Sequence, residues 1–293
     1  MTTTLTLDAS RRYCRDLTKK SATSFYYAFK TLPRKKRLAF EVVYAFMRLS
    51  DDISDDAAAG GDHEDVRRWR EILRVSLAGD TQVHPVMPAL VDVMQRFSIP
   101  ASWMEELIDG VEQDLTIKRF ETMDDLRSYC HKVAGVVGLV SLRIFGIQNA
   151  TPERWRKAEK LAEACGQAFQ LTNILRDVKE DMGLDRIYLP AEVLRKFEVT
   201  EAMLKEGRMT PAFHALMAHM ADLAEADYAT SKPLLSMIER DARPCLQTMR
   251  GIYHRILEGV VDADYDVFSR RVRVPLGQKL GIAARAFLGR WTP

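Results

Sequence analysis

Asp51/Asp55 and Asp177/Asp181 form two Asp-x-x-x-Asp pairs, each in a segment with a helical apolar pattern. Residues four apart share one helix face, roughly 6 Å apart along the axis. Two carboxylates held that close repel unless a cation lies between them. Each pair has an arginine on its own face, Arg48 and Arg176. Carboxylates with arginines beside them are a donor set for divalent ions that hold a polyphosphate. One acidic pair alone is ordinary on a solvated helix surface. The setting separates these pairs from that case. The first follows the run Phe40 to Leu49 and the second the run Ala168 to Arg176, both mostly apolar and both reaching Arg before Asp. Such a helix is buried on most sides and enters a polar pocket, where carboxylates need partners. Asn173 and Gln170 precede the second pair by one and two turns, and buried amides there call for a substrate or a bound water.

The elements that position these groups read as helices almost throughout. Pro33 is a first-turn proline, and the pattern from it runs to Asp55, where Ala57 to Asp62 breaks it. Further helices are expected near 63–78, 86–97 and 102–117, with Ser102 and Glu105 as a capping box. Another runs from Asp124 to Gly146, and Thr151-Pro152-Glu153 starts a long one reaching about Met182. Helices near 191–196, 200–206, 211–240, 244–261 and 276–289 complete the chain. No fixed-period repeat appears, so we expect a single all-α domain, residues 1–293, with helices surrounding a central apolar cavity. Gly135 and Gly138 fall inside a helix pattern, each at a cost of about 1 kcal/mol against alanine. Close helix packing is one explanation, and local unwinding around a bulky apolar ligand is the other.

Composition narrows the class. The chain has 293 residues, 47% hydrophobic and 29% charged, with net charge +2. That is an ordinary globular balance with a substantial core, and no basic run marks a nucleic-acid partner. The four cysteines form no CxxC, and no secretory pattern or apolar run of membrane-spanning length is present, so reduced thiols in a cytoplasm are expected. Lys279 to Trp291 combines apolar residues, three cations and a tryptophan. It reads either as a helix docked on the core or as a segment lying peripherally at the inner face of the membrane.

Together these segments resemble the squalene/phytoene synthase family, the head-to-head prenyl transferases. Ser21 to Phe29 is similar to the family's opening helix, Tyr44 to Asp55 to its first aspartate motif, and Tyr129 to Gly138 to its central helix. Gln170 to Asp181, followed by Arg186-Ile-Tyr-Leu-Pro190, is nearly its complete second motif. The resemblance implies an isoprenoid synthase fold, two prenyl diphosphate substrates and Mg2+ held by Asp51, Asp55, Asn173, Asp177 and Asp181. It implies diphosphate binding by Arg48, Arg176 and Arg271, with Arg270 competing for the last place and a solvated basic face as the plain alternative. Ser21, Phe25, Phe29, Tyr44, Val133, Val137, Gly138, Gln170 and Asn173 would contact substrate. Arg48, Tyr129, Tyr188 and Tyr253 would act on the reacting groups. Aromatic faces stabilise a carbocation and their bulk keeps water from it, although each ring alone reads as core. His131 departs from the family, which often carries tyrosine there, and reads as a core histidine bonded to a backbone carbonyl.

By the same resemblance, one substrate ionises, the second attacks it, and a cyclopropyl diphosphate forms and then rearranges. With NADPH as hydride donor the product is squalene; by proton loss it is dehydrosqualene or phytoene. The runs Tyr44 to Asp56 and Leu142 to Gly146 look more like bacterial presqualene diphosphate synthases of hopanoid pathways, so farnesyl diphosphate is the expected substrate. Geranylgeranyl diphosphate, giving phytoene, is the alternative. A non-catalytic scaffold of the same fold is the rival from another class, disfavoured because both aspartate pairs are complete.

Overall fold

The computed structural model describes residues 5–21, 25–55 and 63–289. Among them every regular element is helical, apart from two isolated bridges, Arg119–Ile187 and Ile147–Ile238. At the centre is α9 (Pro152–Arg176). Its start is the one signalled in the sequence: Thr151 is the N-cap, its hydroxyl accepting from Arg154 N at 3.2 Å, and Pro152 stands in the first turn. Ala158, Ala162, Gly166, Ala168, Leu171 and Leu175 are all buried along it, as a helix surrounded by others requires. Its neighbours are α8 (Val136–Phe145), α13 (Pro211–Ser231) and α15 (Arg243–Asp262).

The first aspartate segment lies on α3 (Arg34–Asp55), which packs against α1 (Leu7–Ser21), α5 (Met87–Phe97) and α6 (Ala101–Thr116). Phe40, Val43 and Phe46 bury one face of it. Two large apolar clusters result, one under α1, α3, α5, α6 and α8, the other around the C-terminal half of α9 with α13 and α15. Phe25, on the short α2 (Phe25–Phe29), and Phe169 pack against both clusters.

Four expectations are corrected here. The capping box at Ser102 and Glu105 does not form: Pro100 is the N-cap of α6, and Glu105 instead takes hydrogen bonds from Arg70 and Arg74 of α4 (His63–Leu77) at 2.8 and 3.1 Å. A guanidinium is a stronger partner for the carboxylate than one amide N–H. The reciprocal box is at Thr122 and Asp125, opening α7 (Met123–Cys130). The expected 124–146 helix is interrupted, because His131–Gly135 winds as a π-helical turn between α7 and α8. The 211–240 helix stops at Ser231, and Pro233, which cannot continue a hydrogen-bonded turn, leads into a separate α14 (Leu234–Met237). The helix expected to reach Met182 breaks at Asp177, with α10 (Val178–Gly183) beyond.

The close-packing explanation for the glycines holds, and the helix also changes its winding beside them. The backbone widens at His131–Gly135, while a Cβ on Gly138 would come within 2.3 Å of Ala162 O, and one on Gly166 within 2.2 Å of Ala134 O. The helices touch backbone to backbone there, so neither neighbour can rotate away. Gly166→Ala should therefore lower the unfolding free energy by about 1–3 kcal/mol through overpacking. Gly281→Ala meets nothing within 4 Å, lies inside α16 (Leu276–Phe287), and should gain about 1 kcal/mol from helix propensity. Urea titrations of the two variants give the comparison, and equal midpoints would refute the close contact.

Candidate active site

A cavity of about 1330 Å3, counted to its open mouth, runs through the first cluster and meets the second at Tyr253. Two helices contribute nearly half of its lining residues. On α3 the lining face is Phe40, Val43, Tyr44, Met47, Arg48 and Asp51, with Ser50 at its edge. On α9 they are Ala162, Cys165, Gly166, Phe169, Gln170 and Asn173. Both series recur every three or four residues, one helix face each. Both turn from apolar to polar toward the C-terminal end of their helix. One end of the cavity is therefore hydrocarbon-like, closed by Phe40 and Phe145 with ring centroids 4.9 Å apart, and the other carries Arg48, Asp51, Gln170 and Asn173.

Of the other expected contacts, Phe25, Phe29, Val133, Val137, Gly138 and Tyr253 also line this cavity. Val133 stands on the π-helical turn and Val137 and Gly138 on α8, so the widened backbone forms part of the wall. Phe25 lies 6.2 Å from Tyr44 and 5.4 Å from Tyr253, and Tyr253 stacks on Phe169 at 4.4 Å. Phe169 was not singled out in the sequence, although its place beside Gln170 on a lining face could have shown it. Ser21 closes α1 and is not among the lining residues. Asp55 closes α3, and its side chain lies outside the described residues.

Asp51 is the one carboxylate among the described lining residues; Arg176, Asp177, Asp181 and Arg271 lie beyond that end, outside the lining. Arg48 pairs with Asp52, its i+4 neighbour. Asp177 sits at the break after α9 and is gripped from both sides. Arg176 Nε donates to Oδ1 at 2.7 Å and its Nη2 to Oδ2. Arg271 donates through Nε and Nη2 at 2.7 and 2.8 Å. Burial alone would raise the Asp177 carboxyl, but the two guanidiniums outweigh it and hold it below the usual carboxylate range. Of the two neighbouring arginines, Arg271 is the one that reaches Asp177, although its side chain is still 37% exposed. Asp181 has the opposite environment. Burial first, then the charge of Asp177, pushes it up to about 7, with Arg186 offsetting part and Asp114 adding to the rise.

Tyr129 and Tyr188 lie outside the cavity lining, stacked with centroids 5.3 Å apart and flanked by Phe120. The Tyr129 hydroxyl donates to that of Tyr188 at 3.4 Å, which donates to Asp114 Oδ1 at 3.0 Å. Burial raises both phenols well above the ordinary value, so both remain neutral donors. Asp114 thus connects the tyrosine pair with Asp181. It was missed in the sequence because it has no acidic partner four residues away. His131 is also corrected. It is half-buried, with Nδ1 2.7 Å from Glu163 Oε1 and Nε2 3.3 Å from Glu106 Oε2. Its ring spans carboxylates of α9 and α6 across the π-helical turn rather than meeting a carbonyl.

Among the described residues no three His, Cys, Asp or Glu side chains converge as a ready metal site. Two features nonetheless fit a cation at this end. Asn173 Oδ1 is buried without a hydrogen-bond partner, and its Nδ2 is already given to Gln170 Oε1 at 3.3 Å. Asp181, crowded by Asp177 and Asp114, is a carboxylate that a divalent ion would relieve.

Residues 18–278 match the family model for squalene/phytoene synthase. The chain is 34% identical over 290 residues to the phytoene synthase of Arthrospira platensis, covering 96% of this chain and 93% of that one. A crystal structure of a dehydrosqualene synthase in complex with a ligand overlays with TM-score 0.87 at 32% identity, covering 97% and 98%. The squalene synthase HpnC of Alicyclobacillus acidocaldarius overlays with TM-score 0.80 at 29% identity, covering 88% and 95%.

The raised Asp181 has a measurable consequence. Its folded value, about 7, exceeds that of an unfolded carboxyl, about 4. Between these the native state binds the extra proton, so this group's contribution to stability falls as pH rises through the window. With chelator present, the wild-type thermal midpoint should drop more from pH 5 to pH 8 than that of Asp181→Asn. Mg2+ at pH 8 should recover the loss in the wild type and not in the variant. Parallel pH curves for the two proteins would refute the environment assigned to Asp181.

Proposed function

The chain belongs to the squalene/phytoene synthase family, and from that premise we propose that it joins two geranylgeranyl diphosphates head to head, releasing pyrophosphate and giving phytoene. The observation that carries the reading is the cavity wall that grades from hydrocarbon to Arg48 and Asp51 along α3 and to Gln170 and Asn173 along α9. An apolar tail with a polyphosphate head matches that gradient. Chain length follows the relatives. The phytoene synthase match spans nearly the whole chain and outweighs the farnesyl preference drawn from the short runs Tyr44 to Asp56 and Leu142 to Gly146. A second reading, farnesyl diphosphate with a thirty-carbon product, is favoured by the near-complete overlay with dehydrosqualene synthase.

In this reading Asp51, Asp55, Asn173, Asp177 and Asp181 hold magnesium, which when bound neutralises charge growing on the departing pyrophosphate. Arg48, Arg176 and Arg271 take phosphate oxygens. The two guanidiniums now on Asp177 exchange a carboxylate for phosphate oxygens, either of which a planar guanidinium fork can hold with two hydrogen bonds. Phe25, Phe29, Tyr44 and Tyr253, joined by Phe169, surround the cationic carbons with ring quadrupoles. Their bulk, with the walls at Val133, Val137 and Gly138, keeps water from quenching the cation. Tyr129 and Tyr188, neutral and hydrogen-bonded toward Asp114, supply fixed hydroxyl dipoles near the diphosphate end. Ser21 belongs to the same opening segment as Phe25. Phytoene requires loss of a proton and no reductant, so NADPH alters the product only under the second reading.

Purified protein with Mg2+ and each diphosphate, without and with NADPH, tests this directly by mass spectrometry. Phytoene from geranylgeranyl diphosphate is expected, and a thirty-carbon product alone would overturn the chain length in favour of the second reading. No pyrophosphate release from either would return weight to the scaffold. Asp177→Ala should cut turnover by about a hundredfold or more with helical circular dichroism intact. Tyr129→Phe, which removes only the hydroxyl, should be nearly as damaging as Tyr129→Ala; a Phe variant at the wild-type rate would assign the work to the ring instead.

A further inference from the structure

The C-terminal helix α16 carries two apolar faces, and the core accounts for one. Ile282 and Ala286 are buried, and Ile282 joins Ile252, Ile256 and Val274 in a small cluster against α15. This answers the docked-helix reading of the segment, and it leaves a remainder. Leu276, Leu280, Ala284 and Phe287 recur at i, i+4, i+8 and i+11, so they share a second face, with Leu288 at its edge. The large residues there are well exposed: Leu276 55%, Leu280 48%, Phe287 68% and Leu288 64%. Single exposed leucines mean little, but a contiguous run of them marks an interaction surface.

Charge identifies what covers it. From Val267 to Gly289 there are five cations, Arg270, Arg271, Arg273, Lys279 and Arg285, and no acid. The chain as a whole is nearly balanced at +2, so this stretch concentrates its positive charge. Arg285 is exposed at the border of the apolar stripe, as are Arg270 and Arg273 just upstream. An apolar stripe bordered by cations, on a helix too short and too polar to cross a bilayer, is the pattern of a helix lying in an anionic lipid interface. Its position is equally pointed. The helix reaches α2, whose Phe25 and Phe29 line the cavity, Lys279 feels the charge of Arg176, and Arg271 on the preceding strap grips Asp177.

We propose that the face of α16 formed by Leu276, Leu280, Phe287 and Leu288 docks the protein on an anionic bilayer surface, with the cavity mouth beside the membrane. The surface argument stands without the proposed reaction; only the benefit of bringing a lipid-binding mouth to lipid rests on that reading. Binding can therefore be tested with no substrate present. The full-length protein is floated with vesicles of phosphatidylglycerol and phosphatidylcholine in equal parts, and with phosphatidylcholine alone. Wild type should float with the anionic vesicles and weakly with the neutral ones. Leu280→Asp with Phe287→Asp should lower the partition coefficient by about a hundredfold, each buried side chain being worth about tenfold. Arg285→Gln should lower it by about fivefold. Leu184→Asp, at a leucine 56% exposed elsewhere, should change nothing. Turnover of detergent-dispersed substrate should stay at the wild-type rate in the double variant. Failure of wild type to float, or equal flotation of the double variant, would overturn the proposal. So would a wild-type dimer by sedimentation that becomes monomeric in the double variant, with no flotation, because a second copy would then cover the stripe.

Discussion

Asp177, held between Arg176 and Arg271, joins three parts of the chain. It ends the central helix, begins the short helix that carries Asp181, and receives a guanidinium from 94 residues further along. A carboxylate at the edge of an apolar cavity needs compensating charge, and two bidentate arginines provide it. The same grip fixes the C-terminal strap, and with it the helix that follows. The polar end of the cavity and the surface next to it are therefore organised by one residue whose partners are interchangeable with phosphate oxygens.

The rest of the site depends on keeping that charge at one end. The wall of the cavity is apolar for most of its length, and the aromatic rings form two groups. Phe25, Phe29, Tyr44, Phe169 and Tyr253 are on the cavity, while Tyr129, Tyr188 and Phe120 stack behind it. The second group has its hydroxyls aligned on Asp114. Burial keeps those phenols protonated, so their dipoles are fixed in place, in a dry setting where fixed dipoles act strongly.

Much of this was legible in the chain itself. Periodicity located α3 and α9, and the Thr-Pro start of α9 follows from cap chemistry that acts within three residues. The runs of apolar residues leading into Arg and Asp correctly foretold helices that change character along their length. What escaped was set by contacts between distant segments. The break at Asp177 accompanies an arginine far downstream, and the π-helical turn is held by His131 reaching two carboxylates on other helices. Glu105 left its expected cap for Arg70 and Arg74. Asp114 carries no local spacing signal and is visible only once the helices are assembled.

The π-helical turn at His131–Gly135 also acts as a phase shifter. It contains one residue more than an α-helical turn would, and each residue of a helix advances the facing direction by about 100°. Everything after it is rotated by that amount relative to what comes before. Tyr129 can therefore face the tyrosine stack while Gly138, nine residues on, faces the backbone of Ala162. Deleting one residue from the turn would leave a smoother helix and misalign it: α8 would present side chains where α9 requires bare backbone.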